Sequence, residues 1–176
     1  MDTRPSADNR TAKTPGPLAT YLNDHLAGST AALQLLDHLV ETAGTPAERQ
    51  FFTTIRAEVA DDRATLEDLT RRIGDGPSTL RHIGGWLAEK ASRLKLMLDD
   101  PSGHTLKELE ALEMLTLGIH GKRGLWRALG EVSTVVPALA VVDLLRLEKR
   151  ADDQHARVEA RRLDAARRVL RPTASG

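Results

Sequence analysis

The chain has 176 residues, with 25 Lys plus Arg against 25 Asp plus Glu, no cysteine and 3 % aromatics. That length supports one domain with a real core, and the even charge gives no global pull toward nucleic acid or anionic lipid. The lack of cysteine excludes a disulfide framework, an iron–sulfur cluster and a thiolate zinc site. The scarcity of aromatics leaves a core of Leu, Ala, Val and Ile that favours helices over sheet.

Residues 1–16 read as a disordered N-terminal tail, polar and interrupted by Pro5 and Pro15. They hold no apolar stretch of secretory type, and no run reaches the roughly 18 apolar residues of a membrane span. The expected location is cytoplasmic. The first helix is predicted at 17–43, opened by Pro17. Its heptad seam runs Leu18, Leu22, His25, Ser29, Leu33, Leu36, Val40, apolar except for His25 and Ser29. The second helix, 45–73, begins with Thr45-Pro46-Ala47-Glu48, a capping box with proline in the first turn. Its seam is Phe51 or Phe52, Ile55, Val59, Leu66, Leu69 and Ile73, with Asp62 inside it and Glu58 at its edge. The short connection makes these two helices antiparallel neighbours.

Gly74-Asp75-Gly76-Pro77 breaks the chain. A further helix is predicted at 79–98, with Leu80, Ile83, Leu87, Ala91, Leu94 and Leu98 on one side and Lys90 and Arg93 on the other. It is expected to lie on the bundle. The rival reading makes it a basic amphipathic membrane or partner element. A second capping box, Thr105 with Glu108, opens a helix at 105–130. This helix has two competing faces. One carries Leu106, Leu109 and Leu117 with Glu113 and His120; the other carries Leu112, Leu115, Ile119 and Trp126. Gly118, Gly121 and Gly124 suggest close helix approach. The last helix, 138–170, has the stripe Leu144, Leu147, Ala151, Val158, Ala165, Val169, with Glu148 and His155 beside it. Residues 172–176 form a short tail. A single all-α domain over 17–171 follows, two antiparallel hairpins joined by a long helical crossover, with the second and third bundle helices parallel.

The order of elements resembles the ferritin-like superfamily. Tyr21-Leu22-Asn23-Asp24-His25-Leu26-Ala27-Gly28, Trp86-Leu87-Ala88-Glu89-Lys90 and Gly121-Lys122-Arg123-Gly124-Leu125-Trp126-Arg127-Ala128-Leu129 are similar to a small group of uncharacterised bacterial helical proteins near that superfamily. The resemblance implies a ferritin-like four-helix bundle. In metal-binding members, two helices each give a Glu and two each give Glu-x-x-His; Glu58-x-x-Asp61 and Asp152-x-x-His155 stand in the latter places here.

Three readings of the polar interruptions compete. The preferred one is a structural polar layer, with His25 paired to Asp62, Glu148 and His155 pointing inward, and no cofactor. A charged His25 would then add stability that is lost as pH rises. The second reading puts half of these residues in solvent. The third is an iron or manganese site drawn from His25, Glu58, Asp62, Glu113, His120, Glu148 and His155. Ser29, His25 and Asp62 lack the nucleophile elbow and oxyanion loop of a hydrolase. No catalytic residue is assigned. The expected role is non-catalytic, through a protein partner or self-association, without nucleic acid.

Overall fold

The computed structural model describes residues 16–73 and 104–171, with side chains from Leu106 onward in the second stretch. The tails, the predicted helix 79–98 and Thr105 of the second capping box lie outside the described residues and side chains. Four helices are present, and there is no strand among the described residues: α1 (Pro17–Thr42), α2 (Pro46–Ile73), α3 (His104–Val132) and α4 (Leu144–Val169), with a 3-10 turn at Pro137–Leu139 before the last.

The first capping box forms as its residues require. Thr45 Oγ1 accepts from the Glu48 N–H at 3.2 Å, and Glu48 Oε2 accepts from the Thr45 and Gly44 N–H groups at 3.1 and 3.0 Å. Arg49 donates to the Val40 carbonyl at 2.9 Å, so one residue beyond the cap also closes the end of α1. The last helix starts at Leu144, later than the predicted 138. Pro137 to Leu139 takes a 3-10 turn, and Asp143 then caps α4 by accepting the Arg146 N–H at 3.0 Å.

Ion pairs fix the helix directions. Asp37 with Arg56 joins α1 to α2. Arg123 with Asp152 and Glu108 with Arg161 join α3 to α4, each pair running opposite in sequence. Glu48 with Arg161, Glu58 with Arg157 and Asp62 with Arg150 make α2 and α4 antiparallel. It follows that α2 and α3 run parallel, as the sequence suggests. Ile73 and His104 therefore lie at opposite ends.

The core is divided in two. One cluster gathers Leu36, Leu39, Phe52, Ile55, Leu112, Leu115 and Val158. The other gathers Leu22, Leu26, Leu66, Leu69, Trp126, Leu129, Leu147 and Ala151. Each fully buried Leu or Ile contributes about 1.5–3 kcal/mol, so the ten leucines and one isoleucine named here supply much of the stability. The α2 and α4 seams match expectation. In α1 the buried line is Leu22, Leu26, Leu36 and Leu39, which leaves Leu18, His25, Ser29, Leu33 and Val40 half-buried at its edges. In α3 the Leu112, Leu115, Ile119 and Trp126 face is the buried one, while Leu106 and Leu117 are 47 % and 68 % exposed. Among the described residues Gly118, Gly121 and Gly124 serve no close approach: a Cβ on any of them would meet nothing within 4 Å.

Candidate functional site: an ionic layer between two apolar clusters

Three residues fall between the two clusters. Asp62 lies between Val59 and Leu66 on α2, Lys122 between Ile119 and Leu125 on α3, and Gln154 between Ala151 and Val158 on α4. They meet. Lys122 Nζ donates to Asp62 Oδ2 at 2.5 Å and to Gln154 Oε1. Gln154 Nε2 donates to Asp62 Oδ2 at 3.3 Å, and Arg150 donates to Asp62 Oδ1. Asp62 is 2 % exposed and Gln154 0 %. A buried carboxylate survives only when paired and hydrogen-bonded, and here both oxygens are engaged. Burial pushes the Lys122 ammonium below its usual value, and the Asp62 carboxylate pulls only partly against this.

Beside the layer, Arg157 donates to Glu58. Burial opposes ionisation of Glu58, but the hydrogen bonds from Arg157 and Gln154 outweigh it and hold the carboxyl below its ordinary range. Toward the Thr45 end, Arg161 links Glu48 of α2 to Glu108 of α3, and Arg168 reaches the same Glu108 at 3.1 Å. The Arg161 hydrogen bond holds the Glu48 carboxyl low.

A cavity of about 100 Å3 opens off the layer between α1 and α3, lined by His25, Gly28, Val59, Asp62, Gly118, Ile119, Lys122, Leu125 and Trp126 among others. His25 shares this cavity with Asp62, but every described hydrogen bond to Asp62 comes from α3 or α4. The expected His25–Asp62 pair is therefore replaced by a Lys122–Asp62–Arg150 arrangement, because His25 sits on the edge of α1. Burial lowers the His25 pKa, with Asp24 acting weakly against it, so its charged form opposes folding. Ser29 is turned back on its own helix, donating to the Leu26 carbonyl at 2.7 Å.

The other predicted site residues scatter. Glu113 and His120 are exposed on α3. His155 is half-buried, its ring 6.1 Å from that of His120 across the outer side of the α3–α4 pair. Glu148 is half-buried and faces Arg127 at 3.4 Å. Neither Glu148 nor His155 points into the core: the inward polar residue of α4 is Gln154, one position away from His155. A strict three-four alternation, Leu147, Ala151, Gln154, Val158, Arg161, Ala165, marks it. Lys122 falls in the same alternation on α3, Leu112, Leu115, Ile119, Lys122, Trp126, Leu129, but on one of two competing apolar faces, and Arg150 carries no such mark.

A di-metal site does not fit these residues. Asp62 is neutralised by two cations, Glu58 by Arg157 and Asp152 by Arg123, while Asp61 is exposed. Among the described residues no group of three or more His, Asp or Glu side chains comes together in a way that could hold a metal ion. No described helix is long and apolar enough to cross a membrane. No family model, curated protein or solved structure matches the chain.

Proposed function

We propose that this is a non-catalytic helical-bundle protein of ferritin-like topology that works through protein contacts, in the first place with a second copy of itself. The helix directions support the topology: two antiparallel hairpins with α2 and α3 parallel. The observation that carries the functional reading is at the turn between α3 and α4. Val135, Val141 and Leu145 are 76 %, 68 % and 80 % exposed there, beside a groove floored by Leu139 and Leu144. Clustered large apolar side chains on a surface mark an interaction site. Arg127, Glu131, Asp143 and Glu148 line the groove. A rim that carries charge of both signs suits a two-fold contact, in which each copy can offer the other its opposite.

Sedimentation of the full chain across a wide concentration range tests this. The expected result is a reversible dimer that Val141→Asp with Leu145→Asp converts to monomer without change in helix content. A chain that stays monomeric at the highest concentration overturns the self-association reading.

A further inference from the structure

Gly28 and Gly118 stand in the middle of long helices, where glycine is the poorest residue after proline. Packing among the described residues does not explain them, since both are exposed and a Cβ on either would meet nothing there within 4 Å. Both line the cavity between α1 and α3. Their missing side chains leave its mouth open. Inside, Val59, Ile119 and Leu125 make apolar walls, and Asp62 and Lys122 make one polar end. The volume, about 100 Å3, would take about three waters, but a water needs two to four polar partners and the walls offer few.

Among the described residues the polar end is short of negative charge. One carboxylate, Asp62, faces both Lys122 and Arg150, and the nearby Glu58 is taken by Arg157. Arg63, also on the wall, is paired with Glu67. The Lys122 side chain keeps 14 % of its surface exposed and lines the cavity. Trp126 lines the same space, and its buried indole N–H has no described partner. Apolar walls, a spare positive charge at one end and an unpaired donor describe a small amphiphilic anion.

We propose that the cavity between α1 and α3 binds a short-chain aliphatic carboxylate. It enters between Gly28 and Gly118, lays its tail among Val59, Ile119 and Leu125, and sets its carboxylate against Lys122. The site is independent of the apolar turn between α3 and α4.

The probe is sodium butyrate, followed through Trp126 emission in a full-length Trp86→Phe chain, where Trp126 is the sole tryptophan. A saturable change is expected with butyrate and none with butylammonium or butanol at matched ionic strength. Gly118→Leu, introduced into that chain, fills the mouth with a better helix former. It should stay folded by circular dichroism and lose the response. Gly28→Leu serves the same purpose if Gly118→Leu fails to fold. Absence of a saturable butyrate response, an undiminished response in the plugged variant, or equal responses to butylammonium or butanol would each overturn the proposal.

Discussion

Lys122 on α3 holds its ammonium 2.5 Å from a carboxylate oxygen of Asp62 on α2, sixty residues earlier in the chain. The contact spans two parallel helices. With Arg150 and Gln154 from α4 it ties three helices at one level. The apolar clusters on either side tolerate sliding better than this layer does, because a shift by one turn would leave buried charges unpaired.

Removing Asp62 alone should be costly. Asp62→Ala leaves Lys122 and Arg150 facing each other without a counter-ion, and a loss of about 3–5 kcal/mol is expected. Replacing the whole layer with Asp62→Leu, Lys122→Met, Arg150→Leu and Gln154→Leu should recover most of it, because apolar groups of similar size need no partner. Urea midpoints at unchanged slope measure both. A single variant as stable as the parent would show that the layer does not hold the helices.

Stability should fall on mild acidification through His25. Its folded pKa lies below its unfolded value near 6.5 because burial disfavours the imidazolium. The unfolded chain then binds more protons across that window. The contribution is fully present above the unfolded value and is lost as pH falls through the folded one. This is the reverse of the expectation for a His25–Asp62 ion pair. Melting temperatures between neutral pH and pH 5, for the parent and for His25→Gln, test it: the variant should show the shallower fall.

A second loss belongs to stronger acid. Glu48, held by Arg161, and Glu159, held by Arg162, have folded pKa values below the ordinary 4.5. Their contributions are present above that value and disappear as pH falls through the folded ones. Arg161→Met should flatten the acid limb of the stability profile by releasing Glu48, while Arg157→Met flattens the part that belongs to Glu58.

The α2 cap offers a local test. Thr45→Ala should cost about 1 kcal/mol, since it leaves the Glu48 N–H without its acceptor. Glu48→Ala should cost more, because Glu48 also satisfies two backbone N–H groups and binds Arg161. Chemical denaturation of the two variants should rank them in that order.

The sequence alone determined the local and periodic features. Thr45, Pro46 and Glu48 act within one turn, so the start of α2 is written in four consecutive residues. The seams of α2 and α4 follow from a single helical period, which placed Asp62 among Ile55, Val59 and Leu66 before any packing was known. Only the tertiary structure decided which face of α3 is buried, because that helix is apolar nearly all round and its neighbours choose between Leu112 and Leu117. It also decided who partners Asp62. Lys122 lies on the face of α3 that folding buries, and Arg150 starts beside Leu147 and Ala151 and carries its charge along its long stem to a carboxylate that only folding brings within reach.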